Sequence, residues 1–110
     1  MAKLLLSLLS LFSSFCFSQD VFINELDADT DGVDDKEFIE LRTPNPNSSL
    51  NGYVMVVFNG SSSGGNQSYN AYNLDGITTD VNGIAVLGGP ELSPSPAVNL
   101  PTNFFQNGTD

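Results

Sequence analysis

The residues best suited to chemistry lie in one acidic stretch, Asp27-Ala-Asp-Thr-Asp-Gly-Val-Asp-Asp35. Alternate carboxylates, then a glycine for a sharp turn and a closing carboxylate, are typical of loops that surround calcium with hard oxygen ligands. An EF-hand loop is excluded, because Phe38 occupies the twelfth position, where a bidentate glutamate is required. The stretch is a candidate calcium site of another type, and its candidate ligands are Asp27, Asp29, Asp31 and Asp35.

Two interpretations of this stretch stay open. Its nine-residue form, ending at Asp35, resembles the calcium loops of thrombospondin type 3 repeats, but those usually occur in tandem and this chain has one copy. The alternative is a solvated hairpin loop whose carboxylates hold water and discourage aggregation. The second interpretation is favoured, because a lone acidic loop lacks the full set of six to eight ligands. Calcium is the one candidate cofactor.

Other catalytic chemistries find no support in the residue types. The chain has no histidine, which excludes histidine-based triads and histidine-ligated zinc. Glu37 and Glu40 fall on opposite faces of a predicted strand, so they make a poor acid/base pair for glycoside hydrolysis. We expect Asn24-Glu25 and Glu40 to bond to loop backbone instead. The sequence predicts that this segment is not an enzyme.

The first 18 residues predict a secretory signal peptide. Lys3 supplies the positive charge, Leu4–Phe17 supplies an apolar run, and the small residues Cys16 and Ser18 favour cleavage before Gln19. The apolar run is shorter than the roughly 20 residues that span a bilayer. We therefore expect secretion, or display at the cell surface, with no membrane segment left after cleavage and no cysteine in the mature chain.

The mature chain, residues 19–110, is strongly acidic. Lys36 and Arg42 would be its only positive side chains, against 13 acidic ones. This balance argues against nucleic-acid phosphates as a direct partner and is compatible with calcium or a cationic surface. Without disulfides, the domain must be held together by an apolar core or by metal.

Five short apolar runs separated by turn signals predict an all-β sandwich or barrel. They are Val21–Leu26, Phe38–Leu41, Tyr53–Phe58, Tyr69–Leu74 and Ile84–Leu87. The run Tyr53–Phe58 is apolar at every position, which predicts a central strand covered on both sides. The segment Glu91–Pro101, with three of the six prolines, predicts an extended connection.

Four aromatic residues permit two interpretations. They could form a platform for stacking sugars, as in carbohydrate-binding modules, or fill the core of the sandwich. The core is favoured because aromatic side chains dominate cores and tryptophan is absent. The residues are Tyr53, Phe58, Tyr69 and Tyr72.

The order of several motifs resembles the lamin tail domain, in particular its secreted bacterial version. The resemblance runs from Val21 to Asp110 and depends on spacing rather than on one diagnostic motif. Its elements are Ile23-Asn-Glu25, the acidic loop, Glu37-Phe-Ile-Glu-Leu41, Leu50-Asn-Gly-Tyr53, Phe58-Asn-Gly60, Leu74-Asp-Gly76, Val81-Asn-Gly83 and Gln106-Asn-Gly108. It implies an immunoglobulin-like β-sandwich without catalytic machinery.

The C-terminus ends on a turn signal, Asn107-Gly108-Thr109-Asp110, with no strand after it. Immunoglobulin-like sandwiches have about seven strands. We therefore expect a domain truncated at its C-terminal end, whose open strand edge would be prone to pairing, although the oligomeric state itself is not predicted.

Three functions follow as expectations. The first is a non-catalytic attachment or interaction module of a larger exported protein, with a protein or a cell-surface or extracellular glycan as partner. The second is an accessory domain of a secreted nuclease or phosphatase whose catalytic domain lies beyond residue 110. The third is a small calcium- or glycan-binding module.

Overall fold

The computed structural model describes residues 20–106, which form six β-strands and no helix. The all-β class predicted from the sequence is confirmed. The strands are β1 (Phe22–Asp27), β2 (Phe38–Arg42), β3 (Val54–Phe58), β4 (Ser68–Asn73), β5 (Ile84–Gly88) and β6 (Val98–Asn99). In this part of the chain, no helix exists that could carry it across a membrane. The predicted signal peptide and the turn at 107–110 lie outside the described residues.

The strands lie in two sheets of unequal width. The first sheet has the order β1-β2-β5-β6, and the second consists of β3 and β4. All pairs are antiparallel except β5 with β6. The acidic stretch joins β1 to β2, so it lies in a hairpin connection, as the solvated-loop interpretation requires.

A single apolar core draws residues from both sheets. Ile39 and Leu41 of β2 share one face with Ala85 and Leu87 of β5, and Met55 of β3 joins them from the second sheet. This alternation of buried and exposed residues is what strands with one covered face require. The complete set of buried apolar residues is Val21, Ile39, Leu41, Leu50, Met55, Leu74, Ala85, Leu87, Leu100, Phe104 and Phe105.

All five predicted strands are present, within one residue at each end. The sixth, Val98–Asn99, lies inside the segment predicted as an extended connection. Its two residues pair with Leu87 and Gly88. Two residues between prolines carry no strand pattern of their own, so only the neighbouring strand reveals this pairing.

The prediction that β3 is a central strand covered on both sides is wrong. Within residues 20–106 it pairs with β4 alone. Met55 faces the core and is 8% exposed, whereas Val54 and Phe58 are 58% and 65% exposed. A strand that is apolar on both faces can be buried on both, but burial occurs only where neighbouring elements cover each face.

Two turns at one end of the second sheet, one before β3 and one after β4, are joined by hydrogen bonds. The backbone N–H of Gly52 donates to Asp75 Oδ1, and that of Gly76 donates to Asn51 Oδ1, both at 2.7 Å. Gly52 and Gly76 have φ angles of +86° and +83°. This left-handed backbone favours glycine, which has no Cβ to clash. The turns Asn51-Gly52 and Asp75-Gly76 therefore hydrogen-bond to each other, which holds the start of β3 beside the end of β4.

Candidate functional site

The acidic loop is organised by Asp34 and Thr30. Asp34 Oδ1 accepts hydrogen bonds from the backbone N–H and the hydroxyl of Thr30, at 3.2 and 3.4 Å. The backbone N–H of Asp29 donates to Asp27 Oδ1 at 3.3 Å. Gly32 has a φ angle of +95°, as expected of the glycine at a sharp turn. The loop thus bonds to itself through short local contacts.

The four candidate calcium ligands lie along this loop without converging. Asp29 and Asp31 are exposed, and Asp27 and Asp35 are half-buried. Among residues 20–106, no three acidic side chains lie close enough together to hold a metal ion. Calcium binding would therefore require the loop to draw its carboxylates together, and the site stays a prediction.

The expected backbone contacts of Asn24 and Glu40 are replaced by a contact between the two side chains. Asn24 Nδ2 donates to Glu40 Oε1 at 2.6 Å, across the β1–β2 pair. Asn24 is the extra residue of a β-bulge, since Ile23 pairs with Leu41 and Glu25 with Glu40. The bulge turns Asn24 toward its neighbour strand, an effect that the sequence pattern does not reveal.

Glu37 anchors the C-terminal part of the described chain. Its side chain is 1% exposed, and Oε2 accepts hydrogen bonds from the backbone N–H groups of Phe104 at 2.9 Å and Phe105 at 3.3 Å. Burying a carboxylate is tolerated only where such donors replace water. Glu37 therefore joins the start of β2 to the two phenylalanines that close the core, whose rings meet edge to face at 5.1 Å.

Two carboxylates at exposed turns are held ionised by local donors. Hydrogen bonds from the backbone of Gly52 and from the side chain of Asn73 lower the pKa of Asp75 below its usual value. Hydrogen bonds from the backbone of Ile84 and Asn82 lower the pKa of Asp80 in the same way. Donors aimed at the charged form favour it. Both carboxylates thus act as fixed acceptors that shape turns.

The most distinctive surface of the described chain is an exposed apolar strip on β3, the β3 strip, which consists of Val54, Val56 and Phe58. These side chains are 58%, 43% and 65% exposed. The strip lies inside a stretch from Thr43 to Leu74 that contains no charged residue, in a chain of net charge −10. Exposed apolar residues that adjoin one another, rather than lying singly, are typical of interaction sites.

Exposed apolar residues also lie on β1, and one of them, Ile23, lines the same groove as Val54 and Val56. Ile23 and Leu26 pair with the buried residues Leu41 and Ile39, so they lie on the core-facing side of the first sheet. They are nonetheless 62% and 53% exposed, since the second sheet has two strands against four in the first. A groove of about 200 Å³ runs here between Val21–Ile23 and Tyr53–Val56.

The aromatic residues divide between the core and the surface. Tyr72 packs against the core, as predicted, and the Tyr69 hydroxyl accepts a hydrogen bond from the backbone N–H of Gln106 at 3.0 Å. Phe58 was expected in the core, and this is wrong, because it points away from it and is 65% exposed. Tyr69 and Tyr72 are only partly exposed, so they do not form one open platform with Phe58 and Tyr53.

Sequence reasoning missed the β3 strip, although two signals mark it. The run Tyr53–Phe58 is apolar at consecutive positions, and its surroundings lack charge from Thr43 to Leu74. Both signals fit a strand buried on both faces as well as a strand that presents one face to a partner. Strand order alone distinguishes them. Comparison of the chain with models of protein families, with curated proteins and with solved structures gave no match.

Proposed function

We propose that this chain is a non-catalytic interaction module, secreted or displayed at the cell surface, with an immunoglobulin-like β-sandwich of the lamin tail type. The observation that carries the proposal is the exposed β3 strip within the uncharged stretch from Thr43 to Leu74. The sandwich assignment is supported by two sheets that share one core. The lamin tail assignment rests on the motif order described above.

The chemistry of the strip favours a protein partner over a glycan. Two of its three residues are valines, and sugar stacking needs open aromatic faces. Aliphatic residues beside an unpaired backbone edge instead suit an extended polypeptide, which adds as a strand and fills shallow pockets with alternate side chains. The groove beside Ile23 gives such a segment an apolar floor.

Export and attachment can be tested together in a bacterium that expresses the full chain. We expect the secreted or surface fraction to contain a form beginning at Gln19, identified by mass spectrometry. The double variant V54S/F58S should reduce its retention on intact cells by about tenfold, since buried anchors dominate interface energies. V81S is the matched control, because Val81 is 75% exposed and lies outside the strip.

Two results would contradict the proposal. One is a chain that stays in the cytoplasm with an intact N-terminus. The other is an exported chain whose retention is the same for the wild type, V54S/F58S and V81S. Retention on a polysaccharide gel that is independent of the β3 strip would instead favour a glycan-binding module.

A further inference from the structure

The free edge of β3 presents a regular row of backbone groups. The backbone N–H of Leu74 donates to the carbonyl of Tyr53 at 3.0 Å, so Tyr53 and then Met55 direct their polar groups toward β4. Alternate residues of a strand direct them to opposite sides. The N–H and C=O groups of Val54, Val56 and Phe58 therefore point away from β4, where the described part of the chain provides no paired strand.

This edge lacks the features that protect other edges. Natural edge strands avoid pairing through bulges, charges or proline. β1 has such protection, since its own Asn24 forms a bulge and Glu25 and Asp27 carry charge. The irregularity between β3 and β4 places its extra residue, Tyr69, on β4, so β3 itself stays regular.

Charge determines which surfaces of two copies can meet. The chain has 13 acidic and 3 basic residues, so most of its surface repels a second copy. Repulsion acts over the Debye length, about 8 Å at physiological ionic strength. The region from Thr43 to Leu74, which contains the whole of β3, carries no charge and permits close approach.

We propose that two copies of this chain pair through β3, antiparallel and about a two-fold axis at Val56. This inference rests on the proposed function and names the protein partner as a second copy. The pairing would join the two small sheets into one sheet of order β4-β3-β3-β4, equal in width to the first sheet of each copy. Closed two-fold pairing is the commonest symmetry of soluble oligomers.

The register places apolar side chains opposite one another. Val56 lies beside Val56 of the second copy, and Val54 lies beside Phe58. All three residues direct their backbone groups to this edge, so the pairs exchange hydrogen bonds. Aromatic and β-branched residues are favourable cross-strand partners. The incoming strand also enters the groove beside Ile23, which reduces the exposure of that core-facing residue.

The first test is the mass of the full chain in solution, by sedimentation across a range of concentrations. We expect a reversible dimer of the wild type. V56K should abolish it, because like charges meet at the axis. V56P should also abolish it, since proline removes the amide that pairs and is tolerated at a strand edge. V81K makes the same change as V56K at another exposed valine, and it should leave the dimer intact.

The second test examines the register by mixing. V56K and V56E should each be monomeric, whereas an equimolar mixture should form a heterodimer in which the introduced lysine faces the introduced glutamate. Circular dichroism of each variant checks that it is folded. Because Val56 is 43% exposed, a lysine or glutamate at this position can reach water, and we expect both variants to fold. They therefore test the pairing even if V56P unfolds.

A wild type that stays monomeric overturns the inference, as does a dimer that persists in both V56K and V56P. Failure of the V56K and V56E mixture to associate overturns the axis at Val56. These results are independent of the test of attachment. A monomer that is still exported and retained on cells through the β3 strip would overturn self-pairing alone, while loss of export would overturn the proposed function alone.

Discussion

Glu37 illustrates how one side chain can connect distant parts of a small domain. It lies directly before β2, yet its carboxylate bonds to the backbone of Phe104 and Phe105, more than 60 residues later in the chain. Both phenylalanines are buried, and so is Glu37. Glu37 is therefore one of the contacts that hold the C-terminal part of the described chain on the core, together with the hydrogen bond from the Gln106 N–H to the Tyr69 hydroxyl.

We predict that Glu37→Ala lowers the free energy of unfolding by about 3 kcal/mol, because two buried N–H groups lose their acceptor. Glu37→Gln keeps an acceptor oxygen and should cost less than half as much. Urea denaturation of the full chain measures both. Equal stability of Glu37→Ala and the wild type would show that the two hydrogen bonds contribute nothing net.

Gly89 is required by close packing of backbone on backbone. A Cβ at this position would overlap the carbonyl of Asp35, whereas a Cβ at Gly60 would meet nothing within 4 Å. We predict that Gly89→Ala costs about 3 kcal/mol or more, since backbone atoms cannot move aside as a flexible side chain can. Gly60→Ala is the control and should stay within about 0.5 kcal/mol of the wild type. Similar urea midpoints for the two variants would contradict the prediction.

We predict that the folded chain loses stability in acid, in part because Asp75 and Asp80 become protonated. Their pKa values in the folded state lie below the ordinary value of 3.8 because turn donors favour the ionised form. Their contribution is therefore present above pH 3.8 and is lost as pH falls through 3.8 toward the lowered values.

The variant D75N/D80N cannot titrate at these positions. Its melting temperature should therefore fall less than that of the wild type between about pH 5 and pH 2.5, since the linkage contribution is absent. Thermal melts followed by circular dichroism measure this difference. Parallel curves for the two proteins would assign the acid sensitivity to other carboxylates.

Among the structural elements, the acidic loop and β3 present opposite kinds of surface. The loop between β1 and β2 holds its shape through Thr30 and Asp34 and presents several exposed carboxylates. The strand β3 presents apolar side chains and an unpaired edge within residues 20–106. Exposed carboxylates bind water well, whereas an apolar strand with an unpaired edge is the kind of surface on which we propose that a polypeptide pairs.

The calcium prediction belongs to the loop. Calcium at about ten times its dissociation constant should stabilise the folded chain by about 1.4 kcal/mol, which corresponds to several degrees in melting temperature. D29N/D31N should abolish this shift. Magnesium at equal ionic strength is the control, because it resists losing its water. A wild-type shift no larger with calcium than with magnesium would leave the loop as a solvated connection.

For the whole molecule, net charge and the unequal widths of the two sheets determine the character of the surface. Three basic residues oppose 13 acidic ones, so the folded chain repels itself. The four-stranded sheet extends beyond the two-stranded one and leaves Ile23 and Leu26 exposed on its core-facing side. The edge of β3 lies in the uncharged stretch from Thr43 to Leu74, where this repulsion is weak.

Salt should stabilise the full chain. Raising sodium chloride from about 10 to about 150 mM shortens the Debye length from about 30 to about 8 Å, which weakens repulsion among the carboxylates. We expect the melting temperature to rise, and to rise equally with choline chloride, because screening does not depend on the identity of the cation. A constant or falling melting temperature would show that net repulsion is unimportant here.

The all-β class and five of the six strands within residues 20–106 could be predicted from the sequence, because β-branched and aromatic runs between turn residues are local signals. The sequence also located the acidic loop between the first two strands, where the structure has a hairpin connection. These features depend on residues close to one another in the chain, so a linear pattern records them.

The roles of Glu37, Asn24 and Phe58 could not be predicted from the sequence and follow from the arrangement of the strands in space. Glu37 finds its donors far along the chain, Asn24 is turned by a bulge, and Phe58 is exposed because no strand of the described chain covers its face. Each depends on which strands lie side by side. Strand order cannot be predicted from a local pattern, because the residue sequence of a strand is the same whether it has one, two or no neighbouring strands.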